Sequence, residues 1–453
     1  MTEYAYISSL VANARQALAV YETFTQEKVD ACIKAMCLAF RTHAKVLADE
    51  AVEETGYGCA ETKLEKNEQA ADAIWYTLKN EPSVGIIGED REKKLIYVAK
   101  PIGVIAAVTP STNPSTTILF NACYALKGRN TVIFSTHPGA PKTSFHTIHV
   151  LQEALRQSGA PEHVLQYVDA GELNLTDELL GQCDLSIIAG PAKVVQKGYS
   201  SGHPCIGVSH GNVQTIVDRS YNYDQAVRES VYSGSFDNGL ICACTQAVIV
   251  PTEARTEVLD LFRRYGALVL TQPEEINQLR SLLFPDNEHF DRNYLGKAAC
   301  VLAQDAGFTA GQLPKILLAA PEAFADDDPL LRGEMSPVCL LLTYDTFEDA
   351  LELAKRGLSK DGAGHSTVIY THDEEKARRM ALALPITRLL VNQPSVYAAN
   401  QQLHNGLTPT SNLSCGSWAN NSFSENISFR HMLNVCRISW ELDQLPDTSD
   451  LWA

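Results

Sequence analysis

The chain is short of positive charge: 37 lysines and arginines stand against 54 aspartates and glutamates in 453 residues, a formal net charge of −17. No basic block interrupts that surplus, which argues against a nucleic-acid or anionic-membrane partner. The opening residues MTEYAYISSL lack a basic leader and a long apolar core, so no signal peptide is expected. No apolar run approaches the ~20 residues that span a bilayer, and a cytoplasmic location is expected. Among the twelve cysteines no C-x-x-C pair occurs, which excludes the spacing of a zinc ribbon and fits reduced thiols rather than a disulfide framework. Cys242 and Cys244 are the one close pair, and with no second pair at ligand spacing no metal is expected. Also missing are GxGxxG, GxxxxGK[ST], internal repeats and low-complexity tracts. A nicotinamide cofactor, if bound, would sit without the usual glycine turn.

The length predicts two or three domains with ample core. From Ile7 to about Leu78 the pattern is helical, with Val29, Ile33, Cys37, Phe40, Ala44 and Leu47 recurring at three- and four-residue steps as packing material. A hairpin with a charged tip at Glu89-Asp90-Arg91 follows, over about 84–105, and either caps a domain edge or pairs with a neighbouring subunit. Strands at Val104–Val108, Thr131–Ser135, Val164–Val168 and Leu185–Ala189 then alternate with helices beginning near Pro114, Lys142, Thr176 and Ala192. That alternation predicts a parallel sheet wrapped in helices, with ligands beyond the carboxyl ends of the strands. After Val213–Val217 a second unit begins, with strands Ala247–Val250, Ile316–Ala319, Cys339–Leu342, Thr367–Tyr370 and Leu389–Asn392 and helices near Glu253, Asn293, Phe347 and Asp373. The fold class is α/β, with residues 1–213 and 214–420 as two domains and 421–453 as a tail, strand-like from Arg430 to Leu442.

Between the two units a glycine at 239, then Leu240-Ile241, delivers Cys242 among small neighbours ahead of the strand-like run from Ala247. A nucleophilic thiolate needs such an open approach with N–H donors at its back, although most cysteines are simply small buried hydrophobes. The surrounding words decide. YVAKPIGVIAAVTPSTNPS (97–115), GYSSGHPCIGVSHGN (198–212), FDNGLICACTQ (236–246), RLLVNQPS (388–395) and CGSWANNSFSEN (415–426) together resemble the CoA-acylating branch of the aldehyde dehydrogenase superfamily. The resemblance runs from about Val29 to Trp452. It implies two Rossmann-like domains, one for cofactor and one for catalysis, with the hairpin and the tail joining subunits into a homodimer or homotetramer.

By the same resemblance Cys242 is the nucleophile, Asn113 half of an oxyanion hole, and His365 a base for the incoming thiol. Thr109, Pro110, Ser111, His137, Pro138, Gly190 and Glu334 are the cofactor-binding positions, for NAD or NADP; coenzyme A is the co-substrate. Asn113 is equally readable as a turn or cap residue before Pro114, and His365 as a structural histidine. Cys244 and Arg388 are candidate substrate contacts, the first alternatively a packing residue and the second alternatively structural. Hydrolytic relatives place a glutamate ahead of a Gly-Gly pair to activate water, whereas Ile206–Asn212 carries no acid here. Ile188-Ala189-Gly190-Pro191 departs from the Thr-Gly-Gly-Pro of many relatives and loses a hydroxyl. The implied reaction is the reversible conversion of a two- to four-carbon aldehyde, such as succinate semialdehyde or sulfoacetaldehyde, with CoA and NAD(P)⁺ into acyl-CoA. A hydrolytic aldehyde dehydrogenase, an acyl-phosphate reductase and a silent scaffold are the alternatives.

Overall fold

The computed structural model describes residues 3–169, 173–309 and 311–452. Four helices open the chain: α1 (Glu3–Tyr21), α2 (Gln26–Thr42), α3 (Ala44–Thr55) and α4 (Ala60–Leu78). Thr25 caps α2 by accepting the Lys28 N–H at 3.4 Å, and Gly56 at φ 67° ends α3. The stripe from Val29 to Leu47 is buried at every expected position. Strands β1 (Gly85–Asp90) and β2 (Leu95–Pro101) form the hairpin; Asp90 Oδ1 accepts the Lys93 N–H at 2.9 Å across its charged turn.

The first parallel sheet runs through β3 (Val104–Thr109), α5 (Thr116–Lys127), β4 (Thr131–Thr136), α6 (Pro141–Gln157), β5 (Leu165–Tyr167), α7 (Leu173–Leu180), β6 (Leu185–Ala189), α8 (Ala192–Tyr199) and β7 (Cys205–Val208). Its order is β5-β4-β3-β6-β7, so the chain reverses its direction of winding between β3 and β6, where open sheets bind ligands. Strand β7 has no counterpart in the sequence reading. It is four residues long, and Gly207 lets it lie against Val195 and Tyr199, where a Cβ would meet Val195 Cγ1 at 2.5 Å.

The chain crosses at residues 209–212 into a second sheet. This comprises β8 (Val213–Val217), α9 (Tyr223–Ser235), β9 (Thr245–Pro251), α10 (Arg255–Arg264), β10 (Ala267–Leu270), α11 (Pro273–Leu283), α12 (Ala299–Asp305), β11 (Ile316–Ala319), β12 (Val338–Tyr344), α13 (Phe347–Lys360), β13 (Gly364–Tyr370), α14 (Glu374–Ala383) and β14 (Ile386–Val391). All seven strands are parallel, in the order β10-β11-β12-β9-β8-β13-β14. The helix expected near Asn293 is only a 3₁₀ turn, Arg292–Tyr294, because Gly296 at φ 61° turns the chain away before α12 starts. Helix α11 went unread although Pro273 and the reciprocal Gln272–Glu275 capping box mark its start.

The last strand, β15 (Leu433–Ser439), pairs antiparallel with β2 and completes a three-stranded sheet, β1-β2-β15. The tail expected from 421 is therefore integral for part of its length: Ile427, Phe429 and Met432 are buried in the core of the first unit. Their apolar side chains fill the gap beside α5, and the segment that leaves the core begins at β15. Among the described residues no helix is long and apolar enough to cross a membrane.

Candidate active site

Three strand starts build the site. Gly211 precedes β8, Cys242 precedes β9, and His365 lies at the start of β13, and these strands are neighbours in the order β9-β8-β13. Because they are parallel, their amino ends share one edge of the sheet, and residues far apart in sequence meet there. His365 Nε2 lies 3.2 Å from Cys242 Sγ. Gly211 is pressed against both: a Cβ there would lie 1.8 Å from the Cys242 carbonyl oxygen and 3.1 Å from His365 Nδ1. Only hydrogen fits at 211.

The loop that presents the thiol is strained. Asp237, Asn238 and Gly239 have φ of 51°, 54° and 72°, a left-handed run that two of these residues adopt against preference. It is held by polar clamps. Asp237 is fully buried; its Oδ2 accepts from Lys63 and Lys66 Nζ, each at 2.9 Å, and its Oδ1 from the Cys59 N–H at 3.1 Å. Asn238 Nδ2 donates to the Gly58 and Gly296 carbonyls at 2.8 and 3.1 Å. Strain of this kind persists where surrounding contacts over-determine it, a hallmark of functional loops.

Cys242 is half-buried on the wall of a cavity of about 830 Å³. Burial pushes its thiol up to about 12, with Cys415 adding and Arg388 and a backbone N–H opposing. Burial, then Arg388 and His210, hold the His365 imidazole well below its ordinary value. The resting pair is thus neutral thiol beside neutral imidazole, and His365 Nδ1 is buried without a partner to stabilise an imidazolium. A thiolate forms with rising pH and is lost as pH falls through the raised value. Alkylation of Cys242 by iodoacetamide is expected to accelerate roughly tenfold per pH unit from 7 to 9, the slope of a thiol titrating above that range. Peptide mapping of the labelled chain measures it, and a plateau below pH 8 would contradict it.

The opposite wall belongs to the first sheet. Thr109, Pro110 and Ser111 at the end of β3, His137 and Pro138 after β4, and Gly190 after β6 all line the cavity, as does Asn113. Thr109 Oγ1 is buried with no partner, and His137 Nδ1 accepts the Gly139 N–H at 2.9 Å. Asn113 Oδ1 accepts the Thr116 hydroxyl at 2.5 Å, which leaves its Nδ2 as the end available to a ligand.

Three candidates are placed elsewhere. Glu334 turns inward between the cavity-lining Gly333 and Met335; its N–H donates to Gln246 Oε1 at 3.0 Å, and burial holds its carboxyl well above the usual range. Cys244 is fully buried with Phe236 and Val396 and donates to the Phe236 carbonyl at 3.5 Å, so it packs. Arg388, 4% exposed, donates to Ser366 Oγ, the Ser414 carbonyl and Asn426 Oδ1, and reaches Cys242 only through its field. Conversely, the sequence reading passed over Lys63, Lys66 and Asp237. The signal was there: the buried stripe of α4, Ala70, Ala71, Ile74 and Leu78, continues backward at helical spacing onto Asn67, Lys66 and Lys63.

With a nucleophile-bearing loop set between two parallel α/β sheets, the chain is matched over residues 2–412 by the aldehyde dehydrogenase family model. The chain belongs to the aldehyde dehydrogenase family. As an aldehyde dehydrogenase it is an oxidoreductase acting on aldehydes. It is 38% identical over 455 residues, all of both chains, to the succinate-semialdehyde dehydrogenase (acetylating) of Clostridium kluyveri. To the aldehyde-alcohol dehydrogenase of Clostridium acetobutylicum it is 34% identical over 426 residues, 93% of this chain and 49% of that one, so it spans about half the length of that relative. The crystal structure of an acetylating aldehyde dehydrogenase from Geobacillus thermoglucosidasius is similar at a TM-score of 0.93 and 31% identity, over 98% of each chain.

Proposed function

We propose that this aldehyde dehydrogenase is CoA-acylating: a short aldehyde, CoA and NAD(P)⁺ give acyl-CoA, NAD(P)H and a proton, reversibly. The observation that carries the reading is the chemistry around the thiol. The stretch 206–212 passes directly beneath Cys242 and holds no acid. Among the described residues the one carboxylate that lines the cavity, Asp361, feels His210 and Arg332, while the charges acting on Cys242 and His365 are Arg388, Cys415 and His210. No carboxylate stands beside the sulfur to deprotonate water, and the adjacent His365 imidazole, held well below its ordinary value, is a base better matched to a thiol of about 8.5 than to water, so an acyl group on Cys242 would wait for a thiol. The acetylating relatives support the same choice.

In this mechanism His365 Nε2 accepts the Cys242 thiol proton as sulfur adds to the aldehyde carbon. The Asn113 Nδ2 amide and the Cys242 N–H stabilise the resulting oxyanion, a role in which one donor is worth about 3–4 kcal/mol. The nucleotide's wall fits its ligand: an unpartnered buried Thr109 hydroxyl, the N-terminus of α8 and the switch point between β3 and β6 converge there. Thr109, Pro110, Ser111, His137, Pro138 and Gly190 would hold NAD or NADP. A bound nicotinamide supplies the hydride acceptor that leaves a thioester on Cys242. Once His365 has passed that first proton to solvent, it takes the CoA thiol's proton and returns it to the Cys242 sulfur as that thiol displaces it. A homodimer or homotetramer is supported by the outer edge of β15 and the exposed Trp440 beyond it, and a cytoplasmic setting by the reduced thiols.

Steady NAD(P)H formation is expected only when aldehyde and CoA are both present. Without CoA a single burst, no larger than the amount of Cys242, should appear in a stopped-flow trace at 340 nm. Sustained CoA-independent turnover would sink the reading in favour of hydrolysis.

A further inference from the structure

The charges beneath the nucleophile loop do not balance. Lys63 and Lys66 are 3% and 2% exposed, and each has one carboxylate partner, the same oxygen of Asp237. One ammonium would neutralise that carboxylate; the second leaves a unit of positive charge in a nearly water-free site, an unfavourable arrangement unless an anion completes it. Lys63 is walled in, with its remaining contact the Thr112 carbonyl at 3.5 Å. Burial, with Lys66 adding and Asp237 opposing, pushes its ammonium down to about 8. Lys66 is different. Among the described residues its Nζ donates to Asp237 alone, and its side chain lines the same cavity as Cys242, Phe236, Ile241 and Thr117.

We propose that Lys66, backed by Lys63 and Asp237, binds a second oxyanion on the aldehyde, a terminal carboxylate or sulfonate, and thereby selects acid aldehydes over neutral ones. The proposal rests on the aldehyde dehydrogenase reading and names the substrate class of that same site. Arg388, a candidate substrate contact by its sequence, is off the cavity wall with its donors directed at Ser366, Ser414 and Asn426. Lys66 borders the cavity from α4, with its Nζ on Asp237 of the loop that carries the nucleophile. An aldehyde seated on Cys242 could then place its far end against the uncompensated charge. Sulfonate and carboxylate share this chemistry, and comparing their kcat/KM values with CoA present distinguishes them.

The test is a ratio. For the wild-type chain and for Lys66→Met, kcat/KM is measured with succinate semialdehyde and with butanal, its neutral counterpart of equal length. The acid-to-neutral ratio is expected to fall at least about tenfold in Lys66→Met, and Lys66→Arg to retain most of it, since charge at a fixed position is what is lost. A ratio unchanged within about twofold would overturn the proposal and leave the lysines as a clamp on the loop, because a clamp affects both aldehydes alike. On the wild-type chain alone, succinate but not butyramide should slow alkylation of Cys242; equal protection would also overturn it. If turnover proved independent of CoA, the acylating reading would fall while the ratio still decided this one.

Discussion

Replacing Cys242 with alanine is expected to abolish aldehyde-dependent NAD(P)H formation, by on the order of 10⁴-fold or more, since removing a covalent nucleophile leaves only binding and oxyanion stabilisation. Folding should survive, because the side chain is small, half-buried on a cavity wall and packed only against the margin of the second unit's core. Cys242→Ser is expected to be nearly as inactive. Burial already pushes a thiol here up to about 12, and a hydroxyl in the same surroundings would be harder still to ionise. The loss should follow the sulfur in a second readout. Cys436 is exposed and Cys59 and Cys300 are partly so, and these should still be alkylated in the variant, while the peptide containing residue 242 should carry no adduct. Wild-type turnover by Cys242→Ala would place the nucleophile elsewhere, and none of the other eleven cysteines is found on the cavity wall.

Much of this site was legible because its words are local. The strands of the first sheet are apolar runs bounded by turns, and their ends carry the cavity-lining positions 109–111, 137–138 and 190 as the alternation implied. The meeting of Gly211, Cys242 and His365 was not legible from spacing, since it depends on the order β9-β8-β13, which is a property of how strands pair. Cys244 and Arg388 sit within words that match the family, but a matching word does not say which side chain turns inward. Glu334 shows the same: residues on either side of it reach the cavity and it does not. Strand β7 was missed because four residues between glycine-rich turns give no periodicity. Lys63 and Lys66 were passed over for a different reason. Charged residues on a helix are read as its solvated face, and only an accounting of which face is already apolar reveals that these two point into the protein.

Asp237→Ala is expected to cost about 3–5 kcal/mol of stability, the typical penalty for leaving a buried charge without its partner. Here two ammonium groups lose the same carboxylate, and the loop's Cys59 clamp is lost with it. The pH dependence carries the argument further. Burial raises the Asp237 carboxyl, but Lys63 and Lys66 outweigh it, so its folded value lies below the ordinary one. Its contribution is therefore present above the ordinary carboxylate range and is lost as pH falls through the depressed value. Lys63 works in the other sense. Its folded value of about 8 lies below 10.5, so its ammonium costs stability at all pH below 8, and that cost is relieved as pH rises from 8 to 10.5. Without Asp237 the lysine should release its proton at lower pH still. Relief then begins earlier in the variant, at about 1.4 kcal/mol per pH unit for each lysine that is neutral when folded. The stability gap between wild type and Asp237→Ala should accordingly narrow between pH 6 and 8. Urea unfolding midpoints across that range measure it. A gap that stayed constant would mean that Lys63 keeps its proton in the variant, with water taking the carboxylate's place.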